Sequence, residues 1–510
     1  MSNISDSLSA SERWVITLAI MGATLMQVLD TTIVNVALPH MQGSLSASPD
    51  ETTWTLTSYL VASAIFMPLT GYFTDRFGRK NYLLLSIIGF TVTSALCGAA
   101  TSIVQMVLFR LLQGVFGAGL VPLSQAILAD IFPDNERGKA MAIWGMGVMV
   151  GPILGPSLGG YLTDIASWRW TFYVNVPFGI AAALMVFRFV PDTLKKERKM
   201  DWIGLILIAV AIGSIQYVLD RGNQMDWFEA FDIRTATFLG TICLCGFIVY
   251  SMKNKSNALF DLTIFRDRNF VLSSVLLAVL GLGMYGTMVI QPQLLQGLLN
   301  YPVLIAGLIM APRGIASMFS MMIVGKLINR IEPRWLISIG VLLSAWGISI
   351  TTHYSQDISL SWLIWPLILQ GLGLGLIFVP LSTVAFSTLP ISSRAEAAGL
   401  YSLLRTIGSS IGISITITFL SRHTQMAWNQ IGGSIQLYNP ALIDYLRPWH
   451  LKASDPQAAA LLVGELSKQS LMLSYINTFS FIMWSFLIML PFVLLLKNTK
   501  DIPSPHIISE

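Results

Sequence analysis

MQVLDTTIVNVALPH, residues 26–40, closes the first long apolar segment of this chain and sets one aspartate, Asp30, among apolar neighbours. A carboxylate at membrane depth is expensive, so its presence inside a span marks a functional position. The segment that carries it, at about 14–36, is long enough to cross a hydrocarbon core, which takes about 20 helical residues. Across 510 residues, 54% are hydrophobic and 11% charged, and the mean hydropathy is +0.67. One soluble core cannot cover that much apolar surface, which places the chain in a bilayer.

On the same ruler the sequence reads as an all-α polytopic membrane protein of fourteen spans. Spans one to six fall at about 14–36, 54–73, 81–100, 103–127, 138–162 and 170–190. Spans seven and eight fall at 202–219 and 235–252, and the last six at 271–291, 303–324, 335–352, 361–383, 397–420 and 471–496. About two-thirds of the 31 lysines and arginines lie in one set of alternating loops and the termini; cytoplasmic loops carry such an excess. Both termini are therefore expected in the cytoplasm. The net charge of +4, scattered at span ends, leaves no nucleic-acid footprint. Cys97, Cys243 and Cys245 sit in apolar segments and read as small packing residues. The polar N-terminus precedes a segment too long for a signal peptide, so the first helix is expected to be retained. The connection at 421–470 is expected outside the membrane, with a helix capped by Asp455 and started by Pro456. It suits either partner contact or a solvated cap over the outer mouth.

A weak internal repeat divides the chain. Gln113-Gly114 running to Pro122-Leu123-Ser124 is matched by Gln370-Gly371 running to Pro380-Leu381-Ser382. Gly71 and Arg76 match Gly325 and Arg330, and Gly151 and Gly155 match Gly408 and Gly412. The offset stays near 257 residues. This reads as a six-helix bundle at 1–190, two inserted helices with linkers at 191–260, and a second bundle at 261–510. Repeats of this kind build secondary transporters, whose substrate site lies near the midplane between them.

Three motifs carry more than packing. In GYFTDRFGRK, residues 71–80, Gly71 permits close helix approach and Gly78 a tight turn, while Asp75, Arg76 and Arg79 can pair charges across helix ends. Arg110 in span four needs a carboxylate, carbonyl or water partner, and its counterpart in the repeat is Leu367. Span five places Gly147, Gly151, Gly155 and Gly159 at four-residue spacing, a smooth strip for close crossing. Pro152 and Pro156, which span thirteen lacks, read as a bending element. GxGxxG at 281–286 and GxSxG at 408–412 lie inside apolar helices, so neither a dinucleotide fingerprint nor a nucleophile elbow is expected. The five histidines show no ligand spacing, and neither a metal site nor a cofactor is expected.

These stretches resemble the major facilitator superfamily, and within it the fourteen-span drug:proton antiporters of the EmrB/QacA type. GYFTDRFGRK is similar to the superfamily's loop motif, Arg110–Gly119 to its span-four motif and Gly147–Gly160 to the span-five motif of antiporters. LDTTIVNVALP at 29–39, WRWTFYVNVPFG at 168–179, LDRGNQMDW at 219–227 and PQLLQ at 292–296 resemble the EmrB branch. The resemblance implies the major facilitator fold and proton-driven multidrug efflux across a bacterial inner membrane. It also implies an EmrA-like periplasmic adaptor and a TolC-like outer-membrane channel as partners. An uptake symporter for a nutrient or siderophore and a non-transporting drug sensor stand as alternatives. No catalytic cluster speaks for an enzyme.

Thr24, Gln27, Thr31 and Asn35 recur at helical spacing, which sets Asp30 at the edge of a polar face turned into the bundle. Asp30 either carries the coupling proton, modulated by Arg110, or is held permanently by backbone groups or by Arg110. For drug contacts the expected residues are Met26, Gln27, Asn35, Tyr59, Gln113, Gln125, Tyr285 and Gln291, because polyspecific pockets favour polar, aromatic and methionine surfaces that repack. Arg313 and Arg405 either attract an anionic substrate or bond a half-helix carbonyl or Glu396.

Overall fold

The computed structural model describes residues 9–497, apart from 134–135, 194, 196–199, 255–258, 260, 329, 391–392, 434, 437–438 and 453–454. Span one is a helix from Ala10 to Ser44. Span two begins at Pro49 and runs to Phe66, through a 3-10 turn at Met67–Leu69, and on as Thr70–Phe77. Both helices open on capping boxes, Ser9 with Glu12 and Ser48 with Glu51, which satisfy the exposed N–H groups of the first turn. Thirteen helices among the described residues are long and apolar enough to cross a membrane. The 29-residue helix Arg137–Ile165, packed along span one, joins them as the fourteenth.

Besides span two, three further spans depart from the expected single helices. Span four breaks between Ile103–Gly117 and Leu120–Ile131, because Pro122 cannot donate to the turn before it. Span six splits into Trp170–Tyr173 and Asn175–Phe189, and span nine, Arg268–Gln293, ends in a π-helical turn at Leu294–Leu298 beyond Pro292. The connection at 421–470 is corrected most. Span thirteen continues as one helix from Arg394 to Gly432, and the helix starting at Pro456 is continuous with span fourteen as far as Leu494. Hydropathy measures bilayer thickness, and a polar helix carries on unnoticed beyond it. Span five runs unbroken from Arg137 to Ile165; the side chain of Pro156 lies outside the described residues.

Spans one to six pack chiefly on one another, as do the last six. Spans seven and eight, Trp202–Arg221 and Phe231–Lys253, form an antiparallel pair whose first helix touches both span two and span thirteen. The Thr57 hydroxyl donates to Asp220 at 2.5 Å, and the Arg221 guanidinium lies 5.0 Å from the centre of the Trp54 ring, fixing the pair to span two.

The two halves meet at the end that carries the Gly71–Lys80 loop. A Cβ added at Gly71 would lie 2.8 Å from Cβ of Glu396, and one at Gly399 would lie 2.6 Å from the Met67 carbonyl oxygen. Trp144 stacks on Phe378 with ring centres 5.6 Å apart and donates to the Ser124 hydroxyl at 3.0 Å. A groove of about 990 Å³ lies away from this seam, on the inserted pair between Tyr217, Arg234 and Phe238.

Candidate functional site

Asp30 is fully buried. Its Oδ2 accepts from Arg110 Nη1 at 2.6 Å, and its Oδ1 accepts from Gln113 Nε2 at 3.0 Å and Asn175 Nδ2 at 2.9 Å. All three partners are N–H donors, which suits an ionised carboxylate facing an ionised guanidinium. Arg110 and Gln113 lie one turn apart on span four and so reach the same point, with Arg110 Nη1 also donating to Gln113 Oε1 at 2.8 Å. Arg110 Nε donates to the Thr55 carbonyl at 2.9 Å, and the guanidinium lies 4.4 Å from the centre of the Tyr59 ring and 5.7 Å from that of Phe172.

Outer partners hold this group in place. Asn175 also donates to Ser94 Oγ at 3.0 Å, Ser94 donates to the Phe172 carbonyl at 2.9 Å, and the Cys97 thiol donates to Gln113 Oε1 at 3.5 Å. Spans one, two, three, four and six thus meet on one buried ion pair. Removing either charge leaves the other buried without its partner, which is far costlier than the pair itself.

The face of span one differs from the expected one. Asp30 occupies the middle of the buried face, with Ala23, Gln27 and Ala37, while Asn35 is exposed and its amide turns back to the Thr31 carbonyl. Thr31 bonds its own helix as well, at the Val28 carbonyl. The Gln27 side chain accepts from the Val121 N–H at 3.1 Å, filling the gap where span four breaks. Met26 packs on span three, with the Thr91 hydroxyl 4.0 Å from its sulfur. Gln125 is buried near Met141, and Tyr59 forms the floor under Arg110. Tyr285, Gln291, Arg313 and Arg405 lie in the second half, on spans nine, ten and thirteen, apart from Asp30; Gln291 and Arg313 are buried, Tyr285 and Arg405 half-buried.

Gly147, Gly151, Gly155 and Gly159 all face span one. A Cβ on Gly151 would lie 2.6 Å from Val28 Cγ1 and one on Gly159 2.7 Å from the Ile33 carbonyl oxygen. The Thr32 hydroxyl closes that seam by donating to the Gly151 carbonyl at 3.1 Å. At the Gly71–Lys80 loop, Gly78 has φ +82°, a left-handed value that a side chain disfavours. Arg79 ion-pairs with Asp130, which accepts a second bond from Arg394 Nη1 at 3.0 Å. Asp75 is half-buried beside this cluster's helix end and Arg76 is exposed.

Sequence reasoning passed over Asn175, Thr55, Asp130 and Arg394. Asn175 lay within WRWTFYVNVPFG, and Asp130 closes span four in LADIF, where a carboxylate reads as solvated. Only the partner residues, 51 to 264 positions away, give them roles.

The buried ion pair between helices, the glycine seams and the two helical halves define a polytopic membrane transporter. The chain belongs to the Major Facilitator Superfamily, whose family description matches residues 20–413. It is 35% identical over 493 residues to the "Multidrug export protein EmrB" of Escherichia coli K12, covering 95% of this chain and 96% of the relative. It is 34% identical to the "Fatty acid resistance protein FarB" of Neisseria gonorrhoeae, covering 96% of each. Among solved structures, the human organic anion transporter MFSD10 aligns with a TM-score of 0.59 at 15% identity, over 93% of this chain and 99% of that one. The proton:xylose symporter XylE aligns at 0.60 and 14% identity, over 94% and 95%. Those two likenesses show the shared fold.

Proposed function

We propose that this chain exports small hydrophobic or amphipathic drugs across a bacterial inner membrane, driven by proton entry. The observation that carries the reading is Asp30, a buried carboxylate paired with Arg110 at 2.6 Å in one half only. A proton reaching Asp30 removes the negative charge that holds Arg110. Arg110 keeps Thr55 and Gln113, the charge tie between spans one and four is lost while the hydrogen bonds from Gln113 to Asp30 and from Val121 to Gln27 remain, and the first half can rearrange. The bodies that rock are residues 1–190 and 261–510, with Gly71, Asp75, Arg76, Gly78, Arg79, the span-five glycines, Pro152 and Pro156 as the switch between them.

The relatives named for multidrug export and fatty acid resistance support this direction of transport. On the same reading both termini are cytoplasmic, and an EmrA-like adaptor and a TolC-like channel complete the path outward. Drug is met by Asn35, Tyr285 and Arg405, which retain some exposure. Met26, Gln27, Tyr59, Gln113, Gln125, Gln291 and Arg313 reach it only after the halves rearrange.

Acid-loaded everted vesicles test the mechanism. Adding drug discharges the proton gradient if the chain is an antiporter, builds it if it is a symporter, and leaves it unchanged if it only senses drug. Asp30→Asn is expected to lower drug-induced proton flux at least 100-fold, while Asp30→Glu keeps a measurable, pH-dependent flux. Wild-type flux in Asp30→Asn would overturn the assignment.

A further inference from the structure

The second half holds a buried cation that nothing among the described residues neutralises. Arg313 is the eleventh residue of span ten, Val303–Leu327, so it sits about 15 Å in from that helix's start. It is 8% exposed, its Nη1 has no hydrogen-bond partner, and it forms no ion pair among the described residues. A charge at this depth is costly unless it meets a counter-charge, a backbone carbonyl or water in a cavity, and an anion that displaces such water would add the counter-charge that Arg313 lacks among the described residues.

The repeat shows what surrounds it. In the first half, a Cβ on Gly114 would lie 2.5 Å from the Tyr59 carbonyl oxygen and 2.9 Å from the Ala62 methyl. In the second, a Cβ on Gly371 would meet the Arg313 carbonyl and then the Ala316 methyl at 3.0 Å. Arg313 therefore holds the place of Tyr59, and Gln370, beside Gly371, the place of Gln113. Gln113 spends its amide on Asp30 and Arg110. Gln370 is 2% exposed, and neither its Oε1 nor its Nε2 has a partner among the described residues. The register of the repeat thus sets Arg313 and Gln370, each with an N–H donor unspent among the described residues, on facing helices of one junction whose other positions, Leu280 and Leu367, are apolar and buried.

We propose that the junction of spans nine, ten and twelve binds a monovalent anion through the Arg313 guanidinium and the Gln370 amide. One negative charge balances one arginine, whereas a divalent ion would leave a buried excess. The shared chemistry fits a halide ion or the carboxylate head of an amphipathic substrate; the second source alone rests on the exporter reading.

The test measures thermal unfolding of the full chain in zwitterionic nanodiscs, titrated with sodium chloride or with sodium hexanoate, ionic strength being held with sodium sulfate. One titrant or both is expected to raise the midpoint saturably. A chloride response assigns a halide site, and a hexanoate response a substrate head. Arg313→Gln is expected to abolish the shift, Arg313→Lys to keep it and Gln370→Leu to weaken apparent affinity at least tenfold. If Arg313→Gln does not fold, the Lys and Leu variants carry the test. No saturable shift in the native chain, or an equal shift in Arg313→Gln, overturns the site. No gradient enters the measurement, so Asp30→Asn is expected to keep the anion shift while losing coupled efflux, which separates the two proposals.

Discussion

The two halves share a backbone and differ in chemistry. Gly151 packs on Val28 in the first half, as Gly408 packs on Ala278 in the second, where an added Cβ would lie 2.5 Å from the Ala278 Cα. Gly155 meets Thr32 as Gly412 meets Leu282. These contacts set span nine 250 residues after span one, so that Leu280 stands where Asp30 does. Leu367 stands where Arg110 does. The same close-packed frame therefore holds an ion pair in one half and two leucines in the other. Glycines at the crossings are required twice, because any larger residue pushes the helices apart. The charges occur once, which fits the asymmetric, proton-driven step proposed above.

The leucine pair suggests the sharpest way to break this comparison. Arg110→Ala alone is expected to destabilise the chain by about 3–5 kcal/mol, because it strands a buried carboxylate. Asp30→Leu combined with Arg110→Leu copies the second half and is expected to return the unfolding midpoint close to wild type with proton coupling gone. A double variant no more stable than the single one would show that the first half needs its charges to fold.

Next in size are the crossings. Gly114→Ala and Gly371→Ala are each expected to cost about 1–3 kcal/mol by overpacking against a carbonyl. Similar losses in thermal melts would confirm that the repeat is one packing solution used twice; a loss in one half alone would break it.

Where the halves touch, Asp130 joins Arg79 of the first to Arg394 of the second. Asp130→Asn is expected to open that end, read as a several-fold rise in alkylation of a cysteine placed at Ser402, a buried residue of span thirteen. An unchanged rate would mean that apolar contacts such as Trp144 on Phe378 close the seam alone.

The smallest effect is at the mouth of span two, a boundary feature that span ten, starting at Val303 after Pro302, has no match for. Backbone and side-chain hydrogen bonds from Ser48 hold the exposed Glu51 carboxyl below its ordinary value of 4.5. A lowered folded value contributes stability at pH above that ordinary value, which is lost as pH falls through the folded one. Glu51→Gln should therefore melt slightly below wild type at pH 7 and match it in more acidic buffer.

Much of the molecule was readable before folding. Fourteen apolar stretches, the topology charges and the glycine spacing are local properties, set by bilayer thickness and helix pitch. Asp30 and Arg110 stood out singly, since each charge is costly in lipid whatever it meets. Their pairing was one of the alternatives that the sequence left open, and the fold selected it; the place of Asp30 in the middle of the buried face and the parts played by Asn175, Thr55, Asp130 and Arg394 came only with the fold. A hydrogen bond is decided within a few tenths of an ångström, and its partners here arrive from helices 51 to 264 residues apart. Composition determined that this chain lives in a membrane and where its charges are costly; tertiary packing alone decided which of those charges are neutralised and which, at Arg313, is left waiting.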